Sequence, residues 1–399
     1  MICNLPIYQE VTIMPYTFNP QNKHQAPSFD EVFQPATNAM IGMPPLETRG
    51  NRPLQMNFED QLRALVFFHL EEHTSAQHLL QVLREDEFAR EVIAPKAGIK
   101  KSSFSEAINC RGLEQCAYVF DKLQKQAASI LPTQHPELGD LVGIDGSLLA
   151  AVLSMQWADY KKGVKKAKVH VGFDLNHSIP RKMFLTHGNG AERSFVSQIL
   201  SPGQTGVMDR GYQCHKCFDR WQEEHKFFVC RIKANTKKTC IKAHEVKPDS
   251  IIFYDALVLL GTPGVTQTEK PLRLVGYRVE GTTYWVATNR YDLSAEQIAF
   301  IFKLRWDIEE FFAWWKRHLK VYHLIARSEY GLMVQILAGL ITYLLLAIYC
   351  HRHYHEKVSI KRVRELRIKI QNEARKLASN AEALKNVKEQ QAWYAYANT

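Results

Sequence analysis

The chain has 399 residues, with 51 Lys and Arg against 41 Asp and Glu, a net charge of +10. It is long enough for two or three domains around a substantial core, and its eight cysteines, set in no regular framework, exclude a small disulfide-stapled scaffold. The positive excess favours a polyanionic partner.

That charge is uneven. Residues 1–50 hold Lys23 and Arg49 against Glu10, Asp30, Glu31 and Glu47, whereas residues 351–399 hold eleven Lys or Arg against five Glu. Residues 1–54 mix prolines, asparagines and isolated apolar residues without a sustained period, and read as an irregular leader. The start, Met1-Ile-Cys-Asn-Leu-Pro, has neither the basic region nor the apolar run of a secretory signal. A cytoplasmic protein with reduced thiols is the expectation.

Residues 55–130 read as helical. Phe58, Leu62, Leu65, Val66 and Leu70 mark one apolar face, and Ser75 stands as an N-cap before Ala76, Leu79, Leu80 and Leu83. A third helix is expected from about Ser102, with Phe104, Ala107 and Ile108 inward. Lys100 and Lys101 precede it, and a helix start with two lysines can dock on phosphate or simply cap a bundle helix.

From about residue 140 the period changes to that of strands. Leu141–Asp145 and Gly206–Asp209 are short β-like runs that each end in a carboxylate, with further strands expected at 168–174 and 183–186. Lys168 and His170 share one side of their strand, and a basic run at Lys161, Lys162, Lys165 and Lys166 comes just before. Cys214 and Cys217 form a C-x2-C pair, but Cys230 and Cys240 are wrongly spaced to complete a zinc site. The pair is expected to pack as small apolar residues on a helix after Asp209. A β-rich region follows, with strands expected at 227–232, 251–260, 272–279 and 282–288.

Phe302 to Lys316 (FKLRWDIEEFFAWWK) then reads as one helix. At about 100° per residue, Phe302, Arg305, Glu309 and Lys316 fall within roughly 60° of one another. A plain amphipathic helix puts apolar residues on such a stripe; this one puts a carboxylate between two cations. Glu310 lies about 100° away and faces elsewhere. Met333–Cys350 is apolar and long enough to span a bilayer, yet it carries Gln335 and stands alone, so a buried core helix is expected. Residues 351–399 read as a basic helical tail.

Three motifs occur in order: Ile144-Asp145-Gly146-Ser147, Val207-Met208-Asp209-Arg210-Gly211-Tyr212, and the Phe302–Lys316 helix. Together they resemble the hallmarks of the IS4 family of DDE transposases, whose Y-x2-R-x3-E-x6-K signature stands here as Phe302, Arg305, Glu309 and Lys316. Phenylalanine replaces the tyrosine, which removes a hydroxyl but no metal ligand. The resemblance implies an α/β fold, with a ribonuclease H-like catalytic core over residues 135–350. A β-rich insertion at about 225–295 would interrupt that core, and an all-α DNA-binding module at 55–130 would precede it.

It also implies that Asp145, Asp209 and Glu309 hold two Mg2+ ions, with Mn2+ as a substitute. Phosphodiester transfer needs charge neutralised at the attacking and leaving oxygens, and hard cations on carboxylates supply this. Arg305, Lys316 and Phe302 would face phosphate, Lys168, Lys100 and Lys101 would add DNA contacts, and Trp285 matches the place where relatives hold a flipped base. The implied activity is cut-and-paste transposition: binding of terminal inverted repeats, cleavage, and transfer of 3′-OH ends to target DNA by a homodimer on synapsed ends, away from any membrane. A metal-dependent nuclease of the same fold without strand transfer, and a catalytically silent DNA-binding regulator, are the alternatives.

Overall fold

The computed structural model describes residues 28–47, 54–95 and 98–397. Its first element, helix α1 (Ser28–Ala39), lies within the stretch expected to be irregular. Phe29, Val32, Phe33 and Ala36 recur at helical spacing and are all buried. The interior Pro35 and the polar surroundings masked this one short period. The rest of the expected leader, residues 1–27 and 48–53, lies outside the described residues.

Four more helices follow: α2 (Phe58–Leu70), α3 (Ala76–Glu85), α4 (Lys101–Cys110) and α5 (Leu113–Ile130). Asn57 and Asp60 cap α2 reciprocally, and the Ser75 hydroxyl accepts from the His78 amide at the head of α3. These helices do not close a core of their own. α2, α4 and α5 pack on helix α10 (Glu329–Tyr354), whose residues from Gly331 to Cys350 are buried except Met333. α10 is apolar on every side because protein surrounds it on every side. It is long and apolar enough to cross a membrane, and 94% of its most apolar window is buried inside the protein. Gln335 is accommodated there by accepting from the Ile325 amide at 3.0 Å and donating to the His323 carbonyl at 2.8 Å.

The sheet begins with β1 (Leu141–Ala150), β2 (Asp159–Lys161), β3 (Val164–Asp174) and β4 (Ile179–His187). A short helix α6 (Val196–Ile199) leads to β5 (Thr205–Met208), and α7 (His215–Glu223) leads to β6 (Phe227–Arg231). β7 (Lys238–Ala243), β8 (Ile252–Leu260), β9 (Leu272–Val279) and β10 (Thr282–Thr288) complete it. The strands run β2-β3-β1-β5-β6-β10-β9-β8-β7, with β4 also on β3. Among the described residues, only β1–β5 and β5–β6 are parallel pairs. The β-rich region thus extends the main sheet through the β6–β10 pair. β5 lies near the middle and is buried on both faces, as its apolar run requires.

Helix α8 (Ala295–Leu304) is followed by α9 (Trp306–His318), then α10 and the long α11 (Ile360–Ala397). The single helix expected across Phe302–Lys316 is broken at Arg305, where Arg305 N–H bonds the Phe302 carbonyl and Ile308 N–H bonds the Arg305 carbonyl. Those tight i→i+3 bonds reset the helical phase, so the angular reading carried across from Phe302 does not hold. α11 docks through buried Val363, Leu366 and Ile370. Arg367 of α11 pairs with Glu72 and donates to the His318 carbonyl at 2.9 Å.

Cys214 is the N-cap of α7 and is joined to Cys217 by a disulfide, where free thiols were expected. The spacing from N-cap to third helical residue turns both side chains to the same end of the helix, with Cα atoms 5.1 Å apart. Cys230 is buried and Cys240 exposed, and both are free.

Candidate active site

Two of the three carboxylates are placed by strand register. β1 and β5 are parallel with Gly143 opposite Val207, so Asp145, in the middle of β1, and Asp209, directly after the end of β5, each two residues on, come level just past the last paired residues. Neighbouring strands lie about 4.8 Å apart, and residues level in a parallel pair face the same way. That face looks toward α9, since a side chain at Gly143 would meet Ile308 Cβ at 3.6 Å. Glu309 follows Ile308 directly, and farther along α9 the Lys316 ammonium donates to the Leu148 carbonyl of β1 at 2.8 Å. α9 therefore runs along the strand that carries Asp145.

Each carboxylate has a distinct setting. Asp145 Oδ1 accepts from the Gly146 amide at 2.8 Å. Burial pushes its pKa up to about 6, against the pull of that amide and of Arg305, and Glu192 and Glu309 add to the rise. Asp209 Oδ1 is buried without a hydrogen-bond partner, and its nearest cation is Arg231 Nη1 at 3.7 Å. β6 supplies that arginine, because Met208 pairs with Cys230 and the next position on each strand is Asp209 and Arg231. Glu309 is held by Arg305 in a close i,i+4 ion pair.

The oxygen donors suit a hard divalent cation, and the orphaned Asp209 Oδ1 needs a partner of that kind. As they stand, no three His, Cys, Asp or Glu side chains among the described residues are grouped to enclose an ion. The donor chemistry fits such an ion, while Glu309 is engaged by Arg305.

The other expected site residues divide. Arg305 and Lys316 lie beside the carboxylates, as just described, and burial pulls the Lys316 ammonium down while Asp145 opposes that shift. Phe302 is 5% exposed and packs against Tyr284 at 6.1 Å, with the Arg305 guanidinium 5.4 Å from its ring. Lys168 is engaged by Glu192 at 3.0 Å, on the face opposite α9. His170 is buried there too, stacked on Phe195. Lys161, Lys162, Lys165 and Lys166 flank the β2–β3 turn at Gly163, and Lys166 acts on the Lys316 ammonium. Trp285 stands in an aromatic group with Phe253 and Tyr254, and Lys238 Nζ lies 4.6 Å above its ring. Lys100 and Lys101 are exposed at the start of α4, one residue ahead of the expected helix start.

Arg231, Glu192 and Tyr212 were not singled out by the sequence. Tyr212 belonged to a recognised motif but had no assigned role. Arg231 becomes visible only through the β5–β6 register, and Glu192 sits in a short turn with no period or motif.

The structure thus holds a register-matched aspartate pair facing a glutamate helix, with cations beside it. Residues 136–345 match the sequence model of the family described as Transposase DDE domain, and the chain belongs to that family. Three insertion-sequence relatives agree. A transposase designated y4zB from Sinorhizobium fredii is 31% identical over 201 residues, 48% of this chain and 56% of the relative. The transposase of element IS5377 from Geobacillus stearothermophilus is 30% identical, over 48% and 52%. That of element IS4SA from a Synechocystis strain is 27% identical, over 61% and 70%. In the first two cases the matched region spans about half the relative's length. A solved piggyBac transposase synaptic complex with hairpin DNA is similar at a TM-score of 0.43 and 11% identity, covering 89% of this chain and 81% of that one.

Proposed function

We propose that this DDE transposase is a cut-and-paste enzyme of the IS4 type. Its core would be ribonuclease H-like, and Asp145, Asp209 and Glu309 would be its catalytic carboxylates. The observation that carries the reading is the register that sets Asp145 and Asp209 level on adjacent strands, facing α9. The partner is double-stranded DNA, first the terminal inverted repeats and then target DNA, with a homodimer joining two ends.

Divalent cations, Mg2+ by preference, would neutralise charge on the attacking and leaving oxygens. Asp145 and Asp209 would hold them from the strands and Glu309 from the helix. Arg305, once separated from Glu309, is free to grip a phosphate oxygen, which suits its rigid fork of donors. Lys316 adds a point charge farther along α9. The hairpin lysines 161, 162, 165 and 166 extend that positive track in the direction of the Lys316 end. The helices over residues 55–130, with Lys100 and Lys101, are assigned to recognition of the ends, and Trp285 to an unstacked base. The basic α11 adds sequence-independent attraction.

The test is incubation of the purified chain with labelled end DNA and a target plasmid in Mg2+. Transfer of the labelled 3′-OH end into the plasmid is the expected result. Cleavage without joining would favour a nuclease, and binding without cleavage a regulator.

A further inference from the structure

On the sheet face opposite α9 there is a second, smaller polar group, made by Glu192, Lys168, His170 and Tyr212. Glu192 stands in the turn before α6, and its two oxygens reach toward the backbone after each catalytic aspartate. A side chain at Gly146 would meet Glu192 Oε1 at 3.1 Å, and one at Gly211 would meet Oε2 at 3.7 Å. Arg193, the next residue, ties the same turn to the Gly211 carbonyl at 3.0 Å. A side chain at Gly146 would press on the carboxylate, so glycine there lets it lie close to β1.

Two buried polar atoms point into the same place. His170 is 1% exposed, and its Nδ1 has no hydrogen-bond partner. A side chain at Gly146 would meet that nitrogen at 3.4 Å. Nε2 bonds the Thr186 hydroxyl, which itself donates to the His187 carbonyl. Nε2 is therefore the protonated nitrogen, and Nδ1 offers a bare lone pair. Tyr212 is 2% exposed with an unpartnered hydroxyl, and after burial the charges acting most on it are Glu192 and Asp145. Glu192 also acts on Asp145 alongside Glu309. Among the described residues, the cation paired with Glu192 is Lys168, at 3.0 Å.

We infer that Glu192 is a fourth carboxylate of the catalytic centre, a positioning residue that adds negative charge behind Asp145 and Asp209 and is held in check by Lys168. This rests on the proposed assignment of Asp145 and Asp209 as cation ligands. Its consequence is a pair of opposite signs. Removing the Glu192 charge weakens divalent-cation binding, whereas removing the Lys168 charge strengthens it. A merely structural ion pair would be indifferent to which partner is removed.

The test is Mn2+ binding to the full chain without DNA, read by electron paramagnetic resonance of the free ion, with thermal melting as the control on folding. Glu192→Gln should weaken Mn2+ binding by about tenfold, the scale of outer-shell partners of metal ligands. Glu192→Asp should recover most of that loss, and Lys168→Met should bind Mn2+ more tightly than the native chain. If Glu192→Gln and Lys168→Met both bind Mn2+ like the native chain, the inference is overturned. Should Glu192→Gln fail to fold, the Asp and Met variants still decide it, because unchanged or weakened binding in Lys168→Met contradicts the expected sign. Asp209→Asn separates this result from the parent reading. If it binds Mn2+ normally, the assignment of the site itself fails; if it loses binding while Glu192→Gln does not, only the present inference does.

Discussion

The two sides of the proposed active site are built differently. Asp145 lies within β1 and Asp209 directly follows β5, so the register of two central strands positions both. Glu309 sits on α9 just past the break at Arg305 and is tied to that arginine. The strand side is therefore preorganised, and the helix side has to exchange one partner for another. The chain keeps two of its carboxylates on central strands, and the adjustable one next to a helix joint.

The largest effect tests the rigid side. Asp209→Asn keeps size and removes one negative ligand, so Mg2+-dependent cleavage of end DNA should fall on the order of a thousandfold, about 4 kcal/mol of transition-state stabilisation. DNA binding measured by gel shift should persist. Normal cleavage by this variant would remove Asp209 from the catalytic set.

The adjustable side should respond in two directions. Arg305→Ala frees Glu309 and so should strengthen Mn2+ binding in the absence of DNA, yet slow strand transfer on the order of tenfold through loss of a charge-assisted phosphate contact. Lys316→Ala has no carboxylate to free. It should leave Mn2+ binding nearly as it was and lower the salt dependence of DNA binding by about one phosphate contact. Identical behaviour of the two variants would erase the distinction between them.

A smaller effect concerns stability. The Asp145 carboxyl is raised to about 6 in the folded chain, from the ordinary carboxylate value of 3.8. Between those values the folded chain binds more protons than the unfolded one, so this group's contribution to stability falls as pH rises through that window. In metal-free buffer Asp145→Asn should therefore melt higher at pH 8, on the order of 2 °C, and the gain should vanish toward pH 4. A melting difference independent of pH would mean that burial of the charge is not its cause.

What the sequence revealed follows the same division. The strand carboxylates were legible because each ends a short apolar run inside a compact motif, and register then does the rest. The helix side was half legible. Arg305, Glu309 and Lys316 were found, but the break at Arg305 leaves no mark in residue periodicity, and Phe302 was assigned a phosphate-facing place that its burial against Tyr284 does not match. Helices α2 to α4 were visible from their apolar faces and caps. That they share a core with α10 was not, because one apolar face looks alike whether it closes on itself or on a distant helix. Glu192 was invisible for a plainer reason: a lone glutamate in a turn acquires meaning only when β1 and β5 bring Gly146 and Gly211 to it.

The smallest effect bears on the joint itself. Phe302→Tyr restores the family's usual hydroxyl in a side chain that is 5% exposed. A buried hydroxyl without a partner costs about 1–3 kcal/mol, but here the Arg305 guanidinium lies 5.4 Å from the ring and its Nε has no hydrogen-bond partner. A tyrosine hydroxyl that turned to accept from Nε would offset the cost of burial. Melting should then stay within about 2 °C of the native chain, and cleavage within roughly threefold, about 0.7 kcal/mol. Because the new bond competes with Glu309 for the same guanidinium, Mn2+ binding should tighten slightly, in the direction of Arg305→Ala but by less. The comparison is one Mn2+ titration of the native chain and these two variants. Weaker binding in Phe302→Tyr, or a melting point several degrees lower, would show that the ring serves only to pack α8 against β10 and takes no part in releasing Glu309.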